Sequence, residues 1–180
     1  MFFAWCRVVA SIMNSVQIQS ILQHTLGDTF CGVFAADTVP KKLKTLPAAM
    51  VVNTDPSDQP GTHWVALFFD VNNHADYFDS YGEKPAICTI NDLLRFCESW
   101  NYNDKQIQAN LSSVCGHYCV YFAIQRAAGK TFEELLKDFS REDLEENDTA
   151  VTEWVNETFD LNTQTYNVDF IVNQICRALL

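Results

Sequence analysis

Two aromatic and β-branched runs in the middle of the chain constrain its fold most. They are HWVALFFD, residues 63–70, and ADYFDSYG, residues 75–82, and only the four residues VNNH separate them. Runs of this composition form strands, and a short polar connection folds two of them into a hairpin. The sequence therefore predicts an antiparallel pair of strands. AAMVVNT, residues 48–54, adds a buried strand just before it.

Helical patterns lie on both sides of this hairpin. Asn14 can cap a first helix, SVQIQSILQH, which ends at Gly27. CGVFAADTVP, residues 31–40, is short and apolar, which favours an extended segment or a loop. After the hairpin, residues 89–100, TINDLLRFCESW, have helical spacing.

The second half of the chain is mainly helical by pattern. KQIQAN, residues 105–110, predicts one more short strand, and the run 114–128 is long enough for a buried helix. Thr131 and Glu134 form a capping box that opens the next helix. Two further helical patterns lie at about residues 142–159 and 168–179.

These patterns predict one α+β domain spanning residues 1–180. The length suits a single core and is short for two. We expect a central, mostly antiparallel sheet packed by helices, with Cys115 at the N-terminus of a buried central helix. Residues 1–13 are apolar, but Arg7 interrupts them and no basic region precedes them. We interpret them as a flexible segment outside the core, or as sequence upstream of a start at Met13.

Charge and cysteine content narrow the function classes. A net charge of −11 and a pI near 4.6 disfavour general binding to nucleic acid, which needs clustered basic residues. The triplet Lys41, Lys42 and Lys44 is interpreted as a solvated loop or a site for an acidic partner tail. Seven cysteines, an odd number without a C-x-x-C motif, favour a reduced, intracellular setting. No apolar run is long enough to predict a membrane span.

Cys115 is the candidate nucleophile. It stands at the start of the predicted buried helix, where backbone amides and the helix dipole lower the pKa of a thiol. Gly116 behind it allows close approach of a second backbone. Cys119, one turn later, lies deeper in the apolar run and is interpreted as a core residue.

His63 and Asp79 are the residues that best complete a catalytic triad. His63 opens one strand of the hairpin and Asp79 closes the other, so antiparallel pairing brings them together. His24 and His74 are expected at the surface. His117 is only two residues from Cys115 on the same helix, so it points away from the thiol.

Three readings of the thiol remain open from the residues alone. Cys115 can be the nucleophile of an enzyme, or a buried structural cysteine in a protein that only binds a partner. It can also join His117 and Cys119 in a zinc site, although no further Cys/His pair supplies the missing ligands. We therefore predict no metal and no cofactor.

Three stretches resemble a known family: GTHWVALFFD, YFDSYG and QANLSSVCGHYC. They are similar to the adenovirus-type maturation cysteine proteases (adenain-like), to their relatives in Polinton/Maverick transposons and viruses, and to the wider clan of ubiquitin-like-protein (SUMO) proteases. The resemblance covers roughly residues 14–126. It implies a cysteine endopeptidase with His63, Asp79 and Cys115 as catalytic residues, and a glutamine that helps to hold the oxyanion. Gln108 matches that position, with Gln106 as the fallback.

The resemblance also implies a substrate groove. Gly32 and Asp37, in FCGVFAADTVP, are expected to line it, together with Trp64 and Gly116 beside the catalytic residues. Expected substrates carry small residues, especially glycine, at the cleavage site. They are viral or transposon capsid precursors or, alternatively, ubiquitin-like modifiers. We expect a monomer in host cytoplasm or nucleus, or packaged in virions.

The chain departs from the family in two respects. Its third triad member is Asp79, where adenovirus enzymes commonly have glutamate, a change that the wider clan tolerates. Adenain is activated by DNA and by a disulfide-linked peptide. The net negative charge of this chain disfavours activation by DNA. Whether a peptide activates it is left open. Cys97 lies at the spacing of the peptide-linking cysteine, but its helical context predicts a core residue.

Overall fold

A five-stranded sheet is the framework of the fold. The computed structural model describes residues 12–160 and residues 165 and 166. The strands of the sheet, in their spatial order, are β1 (Phe30–Ala35), β2 (Ala48–Asn53), β3 (Trp64–Phe69), β4 (His74–Phe78) and β5 (Ser99–Tyr102). Two short strands, β6 (Phe159–Asp160) and β7 (Thr165–Tyr166), pair separately.

The sheet is mixed, which corrects the expectation of a mostly antiparallel one. The predicted hairpin of β3 and β4 is confirmed, and β2 also pairs with β3 in antiparallel fashion. The two outer pairings, β1 with β2 and β4 with β5, are parallel. A parallel pair needs a crossover connection, and helix α2 lies in the segment that links β4 to β5.

Five α-helices surround this sheet in the described part of the chain. They are α1 (Ser15–Leu26), α2 (Cys88–Leu94), α3 (Cys115–Ala127), α4 (Phe132–Leu136) and α5 (Leu144–Thr158). The caps read from the sequence are present: Asn14 forms a capping box with Gln17, and Thr131 forms one with Glu134. Within the described residues, no helix has the length and apolar character needed to cross a bilayer.

Two local predictions were wrong. Residues 105–110 form a loop, and the additional strand is Ser99–Tyr102, which begins in the last two residues of the segment predicted as helix; the first part of that segment is α2. The loop is irregular because the backbone N–H groups of Ile107 and Gln108 both donate to the carbonyl of Ser80, at 2.9 and 3.1 Å, and not to a strand. The predicted helix at residues 168–179 lies outside the described residues.

The core has one layer on each face of the sheet. On one face, Phe78 stacks on Phe122 of α3, with ring centroids 4.8 Å apart. On the other, α2 buries Ile90 and Leu93 against the sheet. Strand β2 is buried along its whole length because its alternate side chains enter the two layers. Met13, inside the segment expected to lie outside the core, is 1% exposed and belongs to the α3 layer.

Candidate active site

Cys115 lies at the floor of a surface cleft. It is the first residue of α3, and 7% of its surface is exposed to solvent. The cleft has a volume of about 560 Å³, and His63, Trp64 and Tyr81 line it together with Ser112 and Cys115. The fold therefore brings the start of α3 to the same place as the open end of the β3–β4 hairpin.

His63 and Asp79 meet across that end of the hairpin. His63 directly precedes β3 and Asp79 directly follows β4, and Nε2 of His63 is 2.8 Å from Oδ1 of Asp79. The same Oδ1 accepts a hydrogen bond from the backbone N–H of Tyr81, at 2.8 Å. The buried side chain of Asn103 holds the Asp79 backbone by accepting from its N–H and donating to its carbonyl. The carboxylate is thus fixed on the side facing the imidazole.

The imidazole of His63 has one ring nitrogen left for the thiol. Nδ1 is buried and makes no hydrogen bond of ordinary geometry with the described residues. Burial by itself would lower the pKa of His63. The hydrogen bond with Asp79, the negative charge of that carboxylate and the adjacent Cys115 outweigh burial and raise that pKa to about 9. The protonated ring is therefore favoured beside these two groups.

Gln108, the predicted oxyanion donor, is fully buried beside the cleft. Its Oε1 accepts from the Ser80 hydroxyl at 2.6 Å. Its Nε2 donates to the Tyr81 hydroxyl at 3.2 Å and to the Ser112 carbonyl at 3.0 Å. Gln106, the fallback, donates to the Gln108 carbonyl and to the side chain of Asn110. Nε2 of each amide therefore has two acceptors among the described residues.

Helix α5 anchors the loop that carries Gln108. The sequence did not reveal this anchoring. Asn147 donates to the Ile107 carbonyl at 2.9 Å, and Asp148 accepts from the Tyr118 hydroxyl at 2.9 Å and from the Ala109 N–H at 3.3 Å. Burial raises the pKa of Asp148. The adjacent polar residues Asn147 and Asp148 were the sequence feature that could have indicated these contacts. Their partners lie up to 40 residues away in the chain, so no local pattern identifies them.

The four predicted substrate-binding residues occupy different places. Trp64 lines the cleft. Gly116 lies beneath it, and a Cβ there would be 2.9 Å from Cβ of Met13, so this glycine is needed for packing. Gly32 is buried and Asp37 is exposed, and neither is among the residues that line the cleft. Asp37 instead accepts from the N–H and hydroxyl of Ser57, a residue of the cleft wall.

The remaining thiols and imidazoles in the described chain do not extend the site. Cys119 is buried and its pKa is raised well above the usual value by desolvation. Cys97, expected in the core, is half-buried against the α2 layer. His74 pairs with Asp76, and His24 is exposed. No three His, Cys, Asp or Glu side chains of the described residues are grouped so that they could hold a metal ion.

His117 is buried with neither ring nitrogen in a hydrogen bond. Desolvation lowers its pKa from 6.5 to about 4. The unfolded chain therefore binds more protons between these values, so the contribution of neutral His117 to stability is complete above pH 6.5 and falls toward pH 4.

We expect His117→Leu to reduce the acid sensitivity of the fold. Between pH 7 and pH 4.5 the wild-type free energy of unfolding should fall by about 2 kcal/mol more than that of the variant. Urea unfolding of both proteins at the two pH values measures this difference. Equal losses in the two proteins would show that the pKa of His117 is not lowered in the folded protein.

Comparison with known proteins identifies viral proteases among the relatives. No protein-family model matches the chain. A protein named as a thiol protease in Acanthamoeba polyphaga mimivirus is 32% identical over 101 aligned residues, which cover 50% of this chain and 33% of that protein. A protease of bovine adenovirus 4 is 28% identical over 105 residues, which cover 48% of this chain and 51% of the protease. The matches thus span between a third and about half of the relatives' own lengths.

Two solved structures share the fold. A protease of ASFV superposes with a TM-score of 0.59 at 18% identity, over 79% of this chain and 67% of the protease. ChlaDub1 from Chlamydia trachomatis superposes with a TM-score of 0.56 at 15% identity, over 86% of this chain and 93% of the other. The predicted resemblance is confirmed: the chain is related in sequence to a mimivirus protein named as a thiol protease and to an adenovirus protease, and it shares its fold with the ASFV protease.

Proposed function

We propose that this chain is a cysteine endopeptidase whose catalytic residues are Cys115, His63 and Asp79. The observation that carries the proposal is the meeting of a helix-start thiol and an imidazole in one cleft, with the buried carboxylate of Asp79 on Nε2 of that imidazole. The relatives' names support peptide-bond hydrolysis as the reaction. A thiolate, a base and an oriented acid are what nucleophilic thiol catalysis requires.

In the proposed reaction the proton of the Cys115 thiol has passed to Nδ1 of His63 before the substrate is attacked, which leaves a thiolate beside the imidazolium. The sulfur then adds to the scissile carbonyl carbon, and the π electrons of the carbonyl move to its oxygen. When the tetrahedral intermediate collapses, the C–N bond breaks and the imidazolium gives its proton to the leaving amine. Water hydrolyses the resulting thioester by the same steps. The Cys115 backbone N–H, at the start of α3, is one donor to the oxyanion.

Asp79 holds the imidazole in the tautomer that this sequence needs. With the proton on Nε2 directed at Oδ1, Nδ1 is free to accept the thiol proton. The negative charge of Asp79 also stabilises the imidazolium, which is consistent with the raised pKa of His63.

Asp79→Asn is expected to slow hydrolysis by about 10- to 100-fold, less than the roughly 10⁴-fold typical when the tautomer is lost. The Tyr81 N–H would favour the amide oxygen at the Oδ1 position, so the asparagine would still accept from Nε2–H. Only the charge would be lost. Measurement of kcat against pH tests this expectation, with the alkaline limb moving to lower pH in the variant. An unchanged profile would remove Asp79 from the mechanism.

Selective alkylation tests the proposal without knowledge of the substrate. Iodoacetamide at neutral pH should label Cys115 faster than the exposed Cys31 and Cys88, and His63→Ala should abolish that preference. Mass spectrometry of the labelled peptides reads out each rate. Equal labelling of the exposed cysteines and Cys115 would contradict the proposal and favour a protein that only binds a partner.

The proposed substrates are viral or transposon capsid precursors cut at small residues, since the relatives include an adenovirus protease. Incubation with candidate precursors and with SUMO and ubiquitin activity probes, each with Cys115→Ala as control, tests this choice. Cleavage of precursors alone supports maturation. Adduct formation with a modifier probe alone would replace capsid precursors with ubiquitin-like conjugates as the substrate class.

A further inference from the structure

One wall of the cleft, formed by the segment between β2 and β3, carries a carboxylate. Asp55 is half-buried and lines the cleft together with His63 and Cys115. Among the described residues that line the cleft, Asp55 is the only Asp or Glu, and none is Lys or Arg. No ion pair of the described chain includes it. Asp55 therefore brings a negative charge to the cleft that no basic side chain of the described residues neutralises.

Three hydrogen bonds fix Asp55 in place. Its backbone N–H donates to Oδ1 of Asn53 at 2.9 Å, and its carbonyl accepts from the N–H of Ala36 at 3.0 Å. The Thr62 hydroxyl donates to its Oδ2 at 2.7 Å. Its Oδ1 makes no hydrogen bond with the described residues, so this half of the carboxylate can still accept one. A charge held in this way is oriented before a ligand arrives, which reduces the ordering that binding requires.

A second polar group in the same wall lacks a partner. Asn53 is 8% exposed, and its Nδ2 makes no hydrogen bond within the described chain. A Cβ at Gly61, whose φ is +82°, would lie 2.5 Å from this Nδ2, so the glycine leaves the amide uncovered. Both residues line the cleft. Because buried polar groups are ordinarily hydrogen-bonded, the open amide indicates that a polar ligand meets this wall.

We propose that Asp55 is a specificity-determining residue that selects a basic side chain, Lys or Arg, in the substrate. The inference rests on the proposed protease function and deepens it by naming a feature of the substrate. An ammonium or guanidinium group would pair with the fixed carboxylate, whereas an acidic side chain would be repelled. Because Asp55 and Cys115 line one cleft of about 560 Å³, the selected residue would lie within a few positions of the scissile bond.

Two neighbouring carboxylates have a different part. Asp37 accepts from the N–H and hydroxyl of Ser57, and Asp58 follows Ser57 in the chain. Both are exposed, and neither lines the cleft. Their charges have the sign that attracts a basic peptide to this rim, but they do not distinguish one substrate position from the next. That distinction falls to Asp55, the carboxylate inside the cleft.

A charge scan of the substrate tests the proposal. Internally quenched decapeptides of alanine and glycine, each with Lys, Ala or Glu at one position near the scissile bond, report kcat/KM. At one position we expect the Lys peptide to be cleaved about two- to fivefold faster than the Ala peptide, and the Glu peptide slower by a similar factor. Asp55→Asn should remove this preference, and Asp55→Lys should reverse it. In about 0.5 M NaCl the preference should shrink, because salt screens the pair.

Asp58→Asn is the matched control, because it removes the same charge from the same loop at a residue that does not line the cleft. It should keep the wild-type preference for Lys. Alkylation of Cys115 by iodoacetamide should keep its rate in all three variants, since Asp55 is not among the groups that shift the pKa of His63.

A Lys preference that survives in Asp55→Asn, or that is lost equally in Asp58→Asn, would overturn the role of Asp55. The absence of any charge preference in the wild type would overturn it as well. These results leave the protease proposal intact, because the peptides are still cleaved. A wild type that cleaves none of the peptides would also overturn this inference, and the protease proposal falls with it only if Cys115 shows no selective alkylation.

Discussion

Cys115→Ala is expected to lower kcat/KM for peptide hydrolysis by at least about 10⁴-fold. The variant has no thiol at the start of α3, and Cys119, one turn later on the same helix, cannot replace it. Cys119 is 1% exposed and has a strongly raised pKa, so it is held as a neutral thiol away from substrate. Initial rates on a cleaved precursor measure the loss.

Cys88→Ala is the matched control for this experiment. Cys88 is also the first residue of a helix, α2, but it is exposed and lies outside the cleft that holds His63. We expect its activity to equal that of the wild type. A fall at Cys88 similar to that at Cys115 would mean that loss of any thiol disturbs the protein, and residual hydrolysis in Cys115→Ala within tenfold of wild type would refute the covalent mechanism.

His63→Ala is expected to lower kcat by about 10³-fold or more, because the thiol loses its base and the leaving amine loses its acid. The pH profile should change with it. In the wild type the imidazolium persists to about pH 9, so hydrolysis should decline above that value as the acid is lost. In the variant, hydroxide must deprotonate the thiol, so the residual rate should rise with pH throughout the alkaline range.

Two measurements make the His63 prediction specific. Added imidazole should restore part of the rate of His63→Ala in a concentration-dependent manner, because it can enter the space left beside Cys115. The matched control is His74→Ala, which removes a histidine that pairs with Asp76 at the other end of β4 and should leave kcat unchanged. A variant that retains the wild-type alkaline limb would show that His63 is not the titrating group.

The choice of Asp79 illustrates how far sequence reasoning reached. The hairpin could be recognised from two short runs, and its geometry selected the residue after the second strand as the partner of His63. The structure places them 2.8 Å apart. What the runs did not indicate is that the Tyr81 N–H shares the same carboxylate oxygen. That contact turns Asp79→Asn from a severe expected defect into a moderate one.

Gln108 shows the opposite limit. Its spacing before Cys115 suggested a donor to the oxyanion, but spacing says nothing about where the two amide hydrogens point. The structure adds that Nε2 lies 3.2 Å from the Tyr81 hydroxyl and 3.0 Å from the Ser112 carbonyl, and that Oε1 accepts from Ser80, 28 residues away, while the role of Gln108 toward the oxyanion stays a prediction. The polar anchors Asn103 and Asp148 were missed for the same reason, since an isolated polar residue has no periodic signature.

The sequence by itself determined the features that depend on near neighbours: the capped start of α1 at Asn14, the β3–β4 hairpin, and the thiol at the first position of α3. These follow from backbone propensity, caps and periodicity, which act over a few residues. Only the tertiary structure decided the parallel outer pairings and the distribution of hydrogen bonds around Gln108 and Tyr81. Both arise between segments far apart in the chain. Local sequence does not distinguish the alternative arrangements there, and the choice follows from the need of most buried polar groups to form a hydrogen bond.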